Sequence, residues 1–427
     1  MTICATEGAW TLESPYRAAL TIAADGSYGA RLARHDDAAG SWFPERWTIN
    51  GPEPYAVPLP GRQPEEPDTE LLPLADGRVL ILRRVASYFA LSLLYPTGPG
   101  TGELPLGTVE APELTLLPPA PGGVLAYAVA PGTHSTTLWL VHGGGRGPEP
   151  ITELPGRCTG GVWLDRGGRL LALDREWGGR TKTVVVDPVG GGEAGLLLQI
   201  TEDSNDRLLL ADPDSGLLIV RSDAPGHDRL GWGVLGSSLP VRFPECLRPA
   251  DTAVRPFAVQ PGQQLTPECC AVAFRLDGAS GTRLGVWAPA GRQLRQLPAP
   301  EGWLAGAGLW TAGGELLLPY ATDAVPCGVA RMAIPLEHAP EPVPQRSARA
   351  DIALISSPVD SPVGSPVGCE PGMSAGIVPD AADPDNGSTS SAHPHDAGRE
   401  PYDDPAHPHM CRPVPLQQAP LATREAP

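Results

Sequence analysis

The stretch LLPLADGRVLILRRVASYFALSLLYPTGPGTGELPL, residues 71–106, decides the fold. It holds four short runs, 71–74, 79–82, 89–94 and 101–106, with Asp76-Gly77 at the first break. Runs of this length rich in Leu, Ile and Val, bounded by Gly, Pro and Asp, read as strands, and their short separations make each pair an antiparallel hairpin. The same turn signal returns at intervals of roughly 48 residues, at Asp25-Gly26, Asp76-Gly77, Gly122-Gly123, Gly167-Gly168, Asp214-Ser215-Gly216 and Gly313-Gly314, with one beat missing between the last two.

One four-stranded meander cannot bury both of its faces alone, so a chain of such units must stack them. The expected fold is therefore all-β, a seven-bladed β-propeller, with six or eight blades as the neighbouring counts. Unit one spans 14–60, with an inner strand at 19–22 and an outer strand at 46–50 that Gly51-Pro52 ends. Unit three repeats the order of unit two through Thr137-Leu-Trp-Leu-Val141 to a fourth strand at 150–154, and unit four runs from Gly161-Val-Trp-Leu164 to 195–200. Unit five ends on Pro240-Val-Arg-Phe243, unit six carries a polar insertion at 260–268 before the strand Cys270-Ala-Val-Ala-Phe274, and unit seven covers 307–332. Trp10-Thr-Leu12 is a candidate ring-closing strand for unit seven. The division is a segment 1–13, a propeller 14–335, and a tail 336–427.

The tail differs in kind. From residue 340 to 427 it holds 17 prolines, one aromatic residue (Tyr402), and 12 acids against 5 arginines. Such a segment cannot bury a core and is expected to be disordered. Its echo Ser357-Pro-Val-Asp, Ser361-Pro-Val-Gly, Ser365-Pro-Val-Gly favours extended polyproline conformation.

Composition narrows the function. A formal charge of -18 repels nucleic acid and anionic membrane. No apolar run is long enough to cross a bilayer, and residues 1–12 lack a basic cluster followed by an apolar core, which makes the cytoplasm the expected location. The eight cysteines contain no CxxC pair, so neither a zinc site nor a disulfide framework is expected. Adjacent Cys269-Cys270 reads as one sulfur per face of a strand rather than as a redox pair.

Each chemical motif meets a structural alternative. Leu140-Val-His142-Gly-Gly-Gly145 has the form of an oxyanion loop, but no G-x-S-x-G accompanies it, so it reads as a Gly-rich hairpin. His393, His395, His407 and His409, with Asp396, Asp403 and Asp404, form a His/Asp tract whose spacing gives only adventitious metal binding. Asp212-Pro-Asp214-Ser-Gly216 lacks the glycine and glutamate of a calcium loop and reads as an Asx turn. Lys182, the sole lysine, sits outside any phosphate-loop pattern. Trp47, Trp139, Trp163, Trp232, Trp287 and Trp310 fall in strands and read as wedges between blades. Glu70, Glu113 and Asp206 precede first strands and are the candidate carboxylates for an axial channel, weighed against solvated acids at a sheet end.

The strand openings Asp76-Gly-Arg-Val-Leu-Ile81 and Thr136-Thr-Leu-Trp-Leu-Val141 resemble blades of the WD40-like and prolyl-oligopeptidase N-terminal propeller superfamilies, over about Ser14 to Pro335. In the peptidase family a catalytic α/β-hydrolase domain follows the propeller. Here only the tail follows, and no catalytic residue carries over. The sequence therefore leads to a non-enzymatic, monomeric propeller that presents a face to a protein or small ligand, with no catalytic residue, cofactor or metal assigned. The alternatives are a propeller accessory to such a hydrolase, or a lactonase-like channel enzyme.

Overall fold

The computed structural model describes residues 20–334 except 36–39, 99, 146, 192, 193 and 264. Within them the chain forms seven antiparallel sheets, each a simple meander. Sheet 1 holds β1 (Thr21–Ile22), β2 (Tyr28–Arg34), β3 (Trp42–Thr48) and β4 (Tyr55–Pro58); sheet 2 holds β5 (Glu70–Pro73), β6 (Val79–Val85), β7 (Tyr88–Pro96) and β8 (Thr101–Glu110). Sheet 3 follows with β9 (Thr115–Leu116), β10 (Ala126–Pro131), β11 (Ser135–His142) and β12 (Glu149–Pro155), and sheet 4 with β13 (Arg157–Trp163), β14 (Leu171–Trp177), β15 (Arg180–Val186) and β16 (Gly195–Leu198). Sheet 5 has three strands, β17 (Asp206–Ala211), β18 (Leu217–Ser222) and β19 (Arg229–Val234). Sheet 6 has β20 (Thr252–Val259), β21 (Val272–Gly278), β22 (Gly281–Trp287) and β23 (Arg295–Leu297), and sheet 7 has β24 (Leu309–Trp310), β25 (Glu315–Tyr320) and β26 (Gly328–Ala333).

Alternation along the middle strands explains why these sheets stack. On β6, Val79 and Ile81 pack with Ala30 and Leu59 of sheet 1, while Leu80 and Leu82 pack with Ala126 and Ala128 of sheet 3. On β18, Leu217 and Ile219 face sheet 6 and Leu218 and Val220 face sheet 4. A period of two thus serves two different neighbours, and each fully buried Leu or Ile contributes about 1.5–3 kcal/mol. Among the described residues the apolar core is divided into seven clusters, one for each seam between adjacent sheets. The seventh closes the ring: Leu20, Trp47 and Ile49 of sheet 1 pack on Ala307 and Leu317 of sheet 7. Gly26, at φ +74°, fits this seam because a Cβ there would lie 2.4 Å from Leu309 Cδ2.

First strands approach one another across the seams, as β5 does β9 and β17 does β20, so they form the inner wall. The turns heard in the sequence then share one end of the ring, the turn end. The β2–β3 type hairpins and the links from sheet to sheet share the other, the link end.

The seven-unit reading holds, with local corrections. Residues 46–50 are not the outer strand of sheet 1, because β3 is its third strand and β4 its fourth. In sheet 5, residues 240–243 make only a bridge between Trp232 and Arg242. Cys269 ends a short 3-10 turn, Pro267–Cys269, and the strand begins two residues after Cys270. Five of the tryptophans named as wedges, Trp47, Trp163, Trp232, Trp287 and Trp310, are buried in seam clusters, and Trp139 packs half-buried against another. Residues 1–13 and 336–427 lie outside the described residues.

Candidate functional site

The three carboxylates proposed for the axis are spent on seams. Glu70 accepts the Leu116 N–H at 2.7 Å, tying the first strands of sheets 2 and 3. Glu113 pairs with Arg157 at 2.8 Å, both half-exposed, between sheets 3 and 4. Asp206 is not a solvated acid: it has no exposed surface, because β17 opens inside the seam with sheet 4.

Around Asp206 the chain builds a polar network that uses both carboxylate oxygens. Oδ2 accepts from Lys182 Nζ at 2.8 Å, Ser204 Oγ at 2.8 Å and the Ile200 N–H at 2.9 Å, and Oδ1 accepts from Ser222 Oγ at 2.6 Å. Lys182 also donates to the carbonyl oxygens of Thr201 and Ser204, at 2.5 and 2.6 Å. The sole lysine is thus a staple from β15 to the link before β17. A buried carboxylate with this many donors is satisfied, and it holds sheet 5 to sheet 4.

One strand further in lies Asp174, on β14 and 7% exposed. Its Oδ1 accepts from Thr183 Oγ1 at 2.9 Å and from the Leu208 N–H of sheet 5 at 3.1 Å. Its Oδ2 accepts no hydrogen bond and faces Arg207 Nη1 at 3.7 Å, beyond hydrogen-bond reach. Arg207, one-third exposed, also donates from Nη2 to Thr181 Oγ1 at 3.3 Å. Burial pushes the Asp174 carboxyl up to about 6, against the lowering effects of Leu208, Thr183 and Arg207.

The opening beside Oδ2 comes from β13. Its ladder with β14 pairs Thr159 with Asp174 and next Val162 with Ala172, so Gly160 and Gly161 bulge out. Both have positive φ, +75° and +144°, and a Cβ on Gly160 would sit 3.5 Å from Asp174 Oδ2. Apart from the Asp174 carboxyl, nothing beyond its chain neighbours lies within 4 Å of that position. The first strands β17 and β20 are irregular as well, at Leu209 and Phe257. The arrangement offers one hydrogen-bond acceptor and one guanidinium, side by side, near the inner wall.

At the link end of the same sheet, Trp177 stands 59% exposed on the β14–β15 hairpin, its ring over Gly156. Arg175 lies beside it, and its side chain makes no hydrogen bond or ion pair within the described residues, its buried Nε included.

The other motifs resolve as local structure. His142 ends β11 and opens the Gly-rich hairpin to β12; burial and the nearby Arg78 hold it below the usual imidazole range. Asp212 closes an Asx turn on Ser215 and accepts the Gly262 N–H at 2.9 Å, joining sheets 5 and 6. Cys158, Cys246, Cys269, Cys270 and Cys327 are free thiols. Among the described residues no three His, Cys, Asp or Glu side chains cluster as metal ligands. The tract of His393, His395, His407, His409, Asp396, Asp403 and Asp404 lies outside the described residues. Asp174, Arg207 and the Gly-Gly bulge carry no motif; the paired glycines inside a strand are the one signal that marks them.

No family model and no curated protein matches the sequence. Solved structures do. Puromycin hydrolase matches at 17% identity and TM-score 0.49, over 75% of this chain and 52% of its own. The β-propeller domain of the Trilobed protease from Pyrococcus furiosus matches at 10% identity and TM-score 0.46, over 75% of this chain and 99% of that domain. Prolyl oligopeptidase B from Galerina marginata matches at 11% identity and TM-score 0.43, over 74% of this chain and 48% of its own. The chain therefore spans about half the length of the hydrolase and of the oligopeptidase.

Proposed function

We propose that this protein is a binding propeller, and that the link end around sheets 3–5 is its binding end. The observation that carries the reading is Trp177, a large aromatic side chain held out on a hairpin tip beside an arginine without a partner. Tryptophan and arginine dominate the energetics of protein interfaces because they combine large contact area with directional donors. The hairpin itself is rigid, since β14 and β15 pair along their whole length up to Trp177 and Arg180. The seam below it is braced by Lys182 and Asp206, so the anchor is presented on a fixed base.

The test is binding of a captured protein or ligand to wild type, W177A and R175A. Truncating Trp177 is expected to weaken binding about thirtyfold, the size of a ~2 kcal/mol hot spot, with the melting temperature unchanged. Undiminished binding by both variants contradicts the reading. So does turnover of esters, lactones or peptides that D174N abolishes.

A further inference from the structure

We propose that Asp174 and Arg207 form a binding site for a neutral cis-amide edge, the H–N–C=O unit of a primary carboxamide or a lactam. The inference rests on the binding reading only in taking the link end as the end a ligand enters.

Oδ1 of Asp174 is already occupied by Thr183 and Leu208, so a ligand meets Oδ2 alone. That oxygen accepts nothing from the protein, and it is not sealed in, since it is not among the buried atoms that lack a partner. Arg207 Nη1, 3.7 Å away, is too far to bond it directly yet near enough for one small group to bond both. At the 160–161 bulge a Cβ on Gly160 would meet only the Asp174 carboxyl within 4 Å, so Gly160 puts no side chain of its own between Oδ2 and a ligand.

Charge selects among ligands. The pair is neutral overall: Arg207 repels a cation that Asp174 would attract, and Asp174 repels an anion that Arg207 would attract. A group that donates to one and accepts from the other at a spacing of one amide unit satisfies both. A secondary trans amide cannot, because its N–H and C=O point in opposite directions. A primary amide or a lactam presents both on one edge. The edge has two sources, an Asn or Gln side chain of a peptide, or a small cyclic ligand. The titratable and charged groups around Asp174 are Arg207 on β17, the Cys158 thiol on β13, on which the Asp174 charge acts, and, through Thr183 and the Asp206 carbonyl, the buried Asp206–Lys182 pair.

The experiment titrates the full-length chain by calorimetry at neutral pH with benzamide, uracil and an N-acetylglutamine ester, against N,N-dimethylbenzamide, which lacks the N–H. The compounds with an intact edge are expected to bind at least about tenfold more tightly than the dimethyl compound. Preference for the glutamine ester assigns the edge to a peptide, and preference for uracil to a cyclic ligand. D174N and R207Q should each lose that discrimination, and binding should weaken as the buffer is acidified through the range where Asp174 takes up a proton. Y55A, at an exposed tyrosine on β4 of sheet 1, should bind benzamide like wild type, and because benzamide binding is read separately from capture of a partner by Trp177, failure of this site is told apart from failure of the binding end. Absence of binding at millimolar amide, equal binding of the dimethyl compound, or discrimination retained in D174N overturns the proposal.

Discussion

Asp174 is the residue whose chemistry is most altered by the fold. In the folded chain its carboxyl titrates at about 6, against 3.8 ordinarily. Between those values the folded protein holds a proton that the unfolded chain has released, so stability falls as pH rises through this window, by about 3 kcal/mol in total. Below the ordinary carboxylate value the penalty is gone. An asparagine keeps an oxygen that accepts from Leu208 and Thr183 but carries no charge to desolvate. D174N should therefore melt higher than wild type above pH 6 and converge with it toward pH 4, as followed by thermal unfolding across this range. Parallel curves for the two proteins would refute the assignment. None of this was legible in the sequence, where Asp174 sits in LLALDREW without a motif. Its environment is supplied by the main chain of another sheet and by a bulge on β13.

At the scale of elements, sheets 2 and 3 were legible because their turn residues separate long aliphatic strands. Sheet 1 was not. Its β2, YGARLAR, alternates small apolar and basic residues, and β4 is a four-residue edge. Such strands are specified by what they pack against rather than by their own hydrophobicity. The acids before first strands read as channel candidates or as solvated sheet-end acids, and Asp206 is neither exposed nor free, because the lysine that neutralises it lies 24 residues earlier. That staple gives an element-scale prediction. K182M leaves the buried Asp206 charge without its cation and should destabilise the protein by about 3 kcal/mol or more. K182M/D206N should recover most of the loss, since neither partner is then charged. Chemical denaturation measures both, and equal losses in the single and double variants would show that the ion pair is not what holds sheets 4 and 5.

For the whole molecule, the chain's own phasing predicts how the ring is finished. In sheets 1 to 4 and 6 a fourth strand precedes the first strand of the next sheet by a short link, the shortest being the single residue between β12 and β13. Sheet 7 has three strands among the described residues, and the sequence that precedes β1 in the same phase contains Trp10-Thr-Leu12. Deleting residues 1–13 should lower the melting temperature by several degrees, whereas deleting everything after residue 340 should leave it nearly unchanged. Equal losses in the two truncations would contradict this.

The ring itself is tested most directly through the seam that joins its ends. Leu317, on β25, packs against Leu20, Trp47 and Ile49, which lie 268 or more residues earlier in the chain. L317A should cost about 2–5 kcal/mol. Amide hydrogen exchange on that variant should show β2 and β3 of sheet 1 losing protection together with β25 and β26 of sheet 7. Loss confined to sheet 7, with sheet 1 protected as in wild type, would mean that the first and last sheets do not share a core and that the chain is an open stack.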